Sequence, residues 1–466
     1  MNQRLLGCLT VIPLSLLCGC GAKERSNDTT VRVTWHQDVA PLVSESCVGC
    51  HADGGIAPFS LTTYEAAAPF AGMMADATEL GVMPPFLAQD TEECQVNHPW
   101  VDDLRLTAEE QLMLRRWADQ GAPEGDPETA AALPAPPDLE LKDKDETHAI
   151  TAPVEVSGSK DKFMCFSLPL NNASIQFLEG VQINPGNESI VHHVLVYADE
   201  SGASEALADE NGAYECFGGP GFNDAALIAA WAPGALPSEM PAGVGLAIQP
   251  NTRLVINVHY HPTGAGVETD EGTSVDLRWY DGLPEWVGIL QLIGNFSGTL
   301  FGGSYGLQPG PNDEDGVEFR IPAGVNDHTE TMIFPLPTTI PDNTHIWQMA
   351  THMHYVGTDM LIGLVRDEPQ ESEPADECLI HTPRWDFNWQ RGYLYDGPME
   401  TLPTAKPGDL IYLQCGYDNS MGNPHVAEAL ADQGLDAPVD VFLGEETLDE
   451  MCLGVFGLAF PISEFL

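Results

Sequence analysis

The chain has 466 residues, 18 Lys or Arg against 70 Asp or Glu, and a formal net charge of −52. Such an acidic surface repels nucleic acid and anionic lipid headgroups, and because the acids are spread along the whole chain they read as a solvated surface rather than an interaction tail. With 43% hydrophobic residues, 45 Gly and 37 Pro, the length suggests about three domains of loop-rich, mainly β architecture.

Residues 1–19 read as an export signal. Arg4 gives it a positive start, and the apolar stretch from Leu5 to Leu17 is too short to span a membrane. Leu17-Cys18-Gly19-Cys20 resembles a bacterial lipobox with Cys20 as the lipidated first mature residue, although Cys18 is an unusual occupant of its position. An ordinary cleaved signal peptide is the alternative. Residues 20–30, rich in Ser, Asn, Asp and Thr from 26 onward, suit a flexible tether. The chain is therefore expected in the periplasm, anchored to the outer membrane through its lipid alone, in a compartment where disulfides persist.

The segment 31–123 carries Cys47-Val48-Gly49-Cys50-His51, a C-x-x-C-H motif. Its spacing lets two thiols form thioether bonds to the vinyl groups of one haem while His51 lies against the iron. A zinc half-site is the competing reading, but no second C-x-x-C follows to complete it. Met83, stiffened by Pro84 and Pro85, is the expected second axial ligand. Met73 and Met74 compete for that role, and their helical setting makes core packing the better use. Thr107-Ala108-Glu109-Glu110 is a capping box, Met113 and Trp117 share a helix face, and Gly121 with Pro123 supplies the stop. The segment resembles a small α-helical c-type cytochrome domain, whose chemistry is electron transfer. Residues 124–149 lack apolar periodicity and read as a solvated linker.

From residue 150 the pattern changes to short alternating or apolar runs between turn residues. Ile190–Tyr197, Leu254–Tyr260, Met332–Phe334 and Leu410–Leu413 read as strands of antiparallel sandwiches. No G-x-G-x-x-G, P-loop or G-x-S-x-G is present, so nucleotide binding and serine hydrolysis lack support. Several of the 14 histidines are paired. His352 and His354 lie two apart, so both rings project from one strand face, and His259 with His261 has the same spacing. His192 and His193 are adjacent and can serve one metal only at a strand end or a bulge. Imidazole clusters suit copper or zinc, and a Met thioether such as Met451 tips the choice toward copper.

These segments resemble the copper type II, ascorbate-dependent monooxygenases, the family of peptidylglycine α-hydroxylating and dopamine β-monooxygenases. The resemblance covers about residues 150–466 and rests on five motifs in order. They are Val191–Leu195, Ala229–Gly234 with Leu236–Gly245, Asn257–Tyr260, Thr351–His354, and Cys415 with Asp449–Cys452. It implies two jelly-roll-like β-sandwich domains, at 150–290 and 291–466, holding one copper each across a water-filled cleft. His192, His193 and His259 would hold an electron-storing copper. His352, His354 and Met451 would hold the copper that meets O2 and substrate. His261 is left as an alternative ligand or a supporting residue. The implied reaction is insertion of one oxygen atom into an aliphatic C–H bond. Two coppers and one covalent haem c are the implied cofactors, and a periplasmic electron donor the implied partner.

The chain also departs from that family. Its peptide-amidating members place an Arg two residues before H-x-H, where this chain has Ala350, and polar residues where it has Leu453 and Val455. A substrate carboxylate there would be unpaired, so an apolar or aromatic substrate is expected. After Cys8, Cys18, Cys20, Cys47 and Cys50 are set aside, Cys94, Cys165, Cys216, Cys378, Cys415 and Cys452 remain. The resemblance implies Cys415–Cys452; the other four admit three pairings. Two further classes are considered: a haem and copper electron-transfer or copper-carrying lipoprotein without catalysis, and a cell-surface binding protein. The acidic run Asn312–Gly316 lacks a complete calcium-loop pattern.

The tether reading has a direct test. Cys20→Ser is expected to abolish lipidation and release the chain from membranes, read by mass spectrometry and fractionation. A wild-type chain that carries no lipid would reject the lipobox.

Overall fold

A computed structural model describes residues 31–136, 139–158, 160–233, 235–295, 305–314, 316–370 and 373–466. The signal 1–19, Cys20 and the tether lie outside them. Among the described residues no helix is long and apolar enough to cross a membrane.

The helical part is built around helices Ala40–Ser46, Ala71–Glu79 and Ala108–Asp119. Thr107 and Glu110 form the expected reciprocal cap on the last of these. Trp35, Leu42, Val43, Met74, Leu114 and Trp117 make a small core of their own. The C-x-x-C-H motif follows the C-terminus of Ala40–Ser46, where the Cys47 N–H closes the last turn on the Val43 carbonyl.

The β part is a ten-stranded sheet faced by two five-stranded sheets. One small sheet belongs to the first half of the β region and is centred on Lys162–Pro169, Arg253–Tyr260 and Val191–Asp199. The other belongs to the second half and is centred on His328–Pro335, Leu410–Tyr417 and Gly357–Val365. Leu178, Leu246, Ile256, Trp347, Ile362 and Phe456 belong to one continuous apolar core. A boundary at 290/291 therefore separates the two sandwiches less cleanly than the sequence suggests. Strand Trp286–Gly294 straddles it and pairs along its whole length with Leu453–Pro461 from the C-terminal end. Leu453–Pro461 pairs on its other side with Thr344–His352, so the two halves share the long sheet.

Two further boundaries move. The stretch from Phe86 to Trp100 falls within 31–123, yet Phe86, Leu87, Ala88 and Trp100 pack into the β core. Trp100 stacks on Tyr395 with ring centroids 4.8 Å apart. The Gln89 and Val101 N–H groups donate to the carbonyls of His381 and Leu394. The expected solvated linker is also structured at both ends. Ser44 donates to the Pro134 carbonyl and Ala131 to that of His36, which fold its start back on the helices. Its end, Glu146–Ala149, is an edge strand paired with Ser274–Trp279. The short polar strand has no apolar alternation for a sequence pattern to find.

The structure pairs Cys94 with Cys378, Cys165 with Cys216 and Cys415 with Cys452. The first bond pins the 86–105 stretch to strand Asp376–Thr382 across 284 residues of sequence. Replacing both Cys94 and Cys378 by Ser is expected to cost about 2–4 kcal/mol of stability. Denaturant unfolding measures the loss, and limited proteolysis should then cut within 86–105; unchanged stability would mean that the apolar contacts suffice.

Candidate metal centre

Strand Val191–Asp199 runs antiparallel to Arg253–Tyr260, with His259 opposite His193 and Tyr260 opposite Val191. His192 is thus the extra residue of a bulge, which removes the difficulty that adjacent strand residues face opposite ways. The Nδ1 of His259 lies 3.1 Å from Nδ1 of His192 and 3.3 Å from Nδ1 of His193. Among the described residues, these three form the one group of His, Cys, Asp or Glu side chains whose ligand atoms converge within 4.8 Å. Burial pushes the His192 and His193 imidazoles well below their ordinary range, so both are neutral and keep a lone pair. Three converging imidazole nitrogens fit a metal ion such as copper or zinc.

His261 is not part of the convergence. Its Nδ1 lies 2.6 Å from Asp161, and the other Asp161 oxygen faces the outer nitrogen of His259 at 3.4 Å. Burial raises the Asp161 carboxyl, but the hydrogen bond with His261 and the facing imidazole of His259 outweigh it and hold the group below the usual carboxylate range. Asp161 therefore orients His259 from behind, as carboxylates do for metal-binding histidines. Thr447, on the segment leading to Met451, donates to the same carboxylate at 3.1 Å.

The second group forms where Thr344–His352 ends. His352 closes the strand, Met353 is buried, and His354 follows, with the two imidazole centroids 5.2 Å apart. The Nδ1–H of His352 donates to Gln390 Oε1 at 2.7 Å, and that of His354 to the Asp449 carbonyl at 3.0 Å. These acceptors assign the proton to Nδ1 in both rings and leave each Nε2 free as a ligand. Met451 is 5% exposed and lies two residues before Leu453, the residue opposite His352 in the sheet. Glu450 joins the two segments, because its Oε1 accepts from the backbone N–H of His354 and from that of Met451. Burial pushes the Glu450 carboxyl up to about 8, even with several backbone N–H groups directed at it. The Cys415–Cys452 bond fixes the next residue to strand Leu410–Tyr417.

The ring of Phe387 lies close to both groups. Phe387 stacks on His192 with centroids 4.9 Å apart and lies 6.4 Å from His354. Tyr355 packs against Phe387 at 4.4 Å, with its hydroxyl 3.4 Å from Nε2 of His192.

In the helical part, His51 Nδ1 donates to the Phe59 carbonyl at 3.0 Å, which leaves its Nε2 free. Cys47 and Cys50 are unpaired, while the other described cysteines are all in disulfides. Both features fit a thioether-bound haem with one imidazole ligand. Met74 is buried in the helical core, Met73 is exposed, and Met83 is half-buried in the loop beyond Gly81.

Asp161, Gln390, Glu450 and Phe387 are the residues that sequence reading does not assign. No local motif marks Asp161, Gln390 or Phe387, and Asp161 and Gln390 meet their partners across 100 and 38 residues; Glu450 lies within the Asp449–Cys452 motif, but its contact with His354 shows only in the fold.

Comparison with known proteins bears on the β part. Residues 148–265 match the family copper type II ascorbate-dependent monooxygenase, N-terminal domain. Mouse DBH-like monooxygenase protein 2 is 28% identical over 289 residues, 59% of this chain and 39% of that protein. Human DBH-like monooxygenase protein 1 is 25% identical over 251 residues, 51% of this chain and 36% of that protein. The matched stretch thus spans less than half the length of these relatives. The chain is thus similar to copper type II monooxygenases over part of its β region, residues 148–265 for the family's N-terminal domain. Among solved structures, N-glycanase F covers 68% of this chain and 96% of its own at 10% identity, with a TM-score of 0.25, too low to carry an argument.

Asp161→Asn is expected to weaken copper at the His192–His193–His259 group by about 10–100-fold, since the outer nitrogen of His259 loses the carboxylate that faces it. Copper titration followed by electron paramagnetic resonance checks this, with the other group retained. Unchanged affinity would leave Asp161 without a supporting role.

Proposed function

We propose that the chain is a copper-dependent monooxygenase that hydroxylates an aliphatic C–H bond of a small apolar or aromatic substrate with O2. A single observation carries this reading: a three-imidazole group, and a two-imidazole group with a buried Met beside it, both lie close to the Phe387 ring. Bound copper would supply one-electron chemistry and an oxygen site, and haem c at Cys47, Cys50 and His51, with Met83 as second axial ligand, would supply electrons.

The chain's own residues set the conditions. His192, His193 and His259 hold the electron-storing ion, with Asp161 and His261 behind them. His352 and His354 present Nε2, and Met451 adds a soft thioether that favours Cu(I). Their backbone positions are tied together by Glu450. Ala350 lies opposite Val455 and His352 opposite Leu453, so one sheet face beside His352 is apolar. A substrate carboxylate on that face would lie unpaired, at a cost on the order of several kcal/mol, which argues against a peptide C-terminus as substrate. Apolar or aromatic C–H compounds suit it. One oxygen atom enters the substrate and the other leaves as water, which consumes two electrons and two protons beyond the substrate. The reading includes export, a lipid anchor at Cys20, a periplasmic electron donor and a place at the outer membrane.

Metal analysis of the purified chain is expected to give two coppers and one haem. Met451→His should keep copper bound yet lower substrate-dependent O2 consumption by about tenfold or more, because a third imidazole favours Cu(II). Zinc in place of copper, or no metal, would reject the oxygenase in favour of a binding protein.

A further inference from the structure

Two carboxylates from separate segments converge on Gly310. A Cβ added to that glycine would lie 3.2 Å from Asp313 Oδ1 and 3.3 and 3.4 Å from the two carboxylate oxygens of Glu330. The Gly310 backbone is outside the left-handed region, so what glycine provides here is room beside the carboxylates.

Asp313 belongs to the acidic run whose sequence falls short of a contiguous calcium loop. Its Oδ2 accepts from the Gly310 N–H at 2.9 Å, and its Oδ1 has the Glu318 N–H at 3.5 Å. Glu330 comes instead from strand His328–Pro335 and is 1% exposed. Asn312 donates its amide N–H to His328 Nδ1 at 2.8 Å, so the His328 proton sits on Nε2 and is donated to Glu330 Oε1 at 2.7 Å. Glu330 Oε2 is buried and has no hydrogen-bond partner among the described residues. It faces the gap at Gly310 together with Asp313 Oδ1.

No basic side chain neutralises this pair. Arg320 is taken up by Asp440 at 2.7 Å and Glu314 at 2.8 Å. A buried carboxylate oxygen without a partner is costly, and a second carboxylate near it adds repulsion. Burial accordingly raises the Glu330 carboxyl, and the hydrogen bond from His328 offsets only part of the rise. Asp313 is half-buried, which leaves one edge of the pair within reach of solvent. Hard oxygen donors of this kind suit calcium rather than copper.

We propose that Asp313 and Glu330 form a site for a calcium-like divalent cation, separate from both imidazole groups. Water and main-chain oxygens of the turn complete the shell of about six to eight oxygens that calcium takes. The proposal depends on neither haem nor copper. The ion ties the turn to strand His328–Pro335, in which Glu330 lies opposite Cys415 and His328 opposite Tyr417. Those two partners hold Cys452 and the Met451 carbonyl, so the ion's seat backs the segment that carries Met451.

Calcium chloride titrated into the EGTA-treated full chain tests this, at about 0.5 M sodium chloride to screen the scattered surface acids. Calorimetry should show a saturable site of one calcium per chain, and saturating calcium should raise the unfolding midpoint by about 2–4 °C. Glu330→Gln keeps an acceptor for His328 and should lower the affinity by about tenfold or more, because a charged ligand is lost. Gly310→Ala changes no charge and puts a methyl group into the gap. It should cause the same loss, and it keeps the test open if Glu330→Gln fails to fold. Calcium binding that survives both substitutions belongs to the acidic surface and overturns the proposal. A wild-type chain that binds no calcium overturns it too, with a proton on Glu330 in place of the ion.

Discussion

The pairing of strand Leu453–Pro461 with two neighbours at once is the constraint on which the rest of the molecule depends. On one side it holds Trp286–Gly294, and on the other Thr344–His352. Without it the ten-stranded sheet would divide and the two small sheets would have no common backing. It also sets the chemistry. Because strand side chains alternate faces, the register that puts Leu453 opposite His352 also puts Val455 opposite Ala350, and a one-residue slip would turn the apolar face away. Met451 lies just before this strand, so the position of the candidate thioether is set by the same ladder of hydrogen bonds. Cys415–Cys452 and the Tyr417 hydroxyl, which donates to the Met451 carbonyl at 3.2 Å, hold the strand entry from the other sheet.

The two imidazole groups are oriented by different means. At His352 and His354 an amide oxygen and a backbone carbonyl take the Nδ1 protons, and both acceptors are uncharged. At His259 a carboxylate stands behind the ring. A charged acceptor raises the basicity of its imidazole more than a neutral one, and a more basic ligand favours the higher oxidation state. On the proposed function, the asymmetry would suit a pair of ions in which one cycles readily and the other is kept reduced by a thioether. Asp161 and Thr447 also join the groups mechanically, since Thr447 belongs to the segment that carries Asp449 and Met451.

Much of this was legible in the sequence, for identifiable reasons. The C-x-x-C-H motif and the H-x-H pair are local, so spacing alone places their side chains. The alternating runs give the β class, and the capping box gives the start of Ala108–Asp119. What could not be read depends on contacts far apart in the chain. The His192 bulge is a mismatch between two strands and shows only when Val191–Asp199 is laid against Arg253–Tyr260. Asp161 and Gln390 lie in stretches with no motif, and the pairing of Cys94, Cys165, Cys216 and Cys378 is a property of the folded topology. In the sequence the 86–105 stretch groups with the helices only because it precedes the last of them. Its Phe86 and Trp100 are core residues of the other part.

That last displacement bears on how the two parts of the molecule work together. A cytochrome-like unit on a flexible linker would search for its acceptor by diffusion, and its electron-transfer rate would vary with linker length and salt. Here the chain leaves the helices after Met83, enters the β core at Phe86, is bonded there through Cys94, and returns to the helices near Leu106. Two crossings and a disulfide leave little freedom for such a search. The distance between the C-x-x-C-H motif and the loop 383–392 is therefore set by packing, and packing is changed by single side chains. A surface of charge −52 also makes a mobile, electrostatically guided encounter between two parts of the same acidic chain unfavourable. Fixed attachment removes that repulsion from any encounter between the parts: the charges are brought together once, on folding.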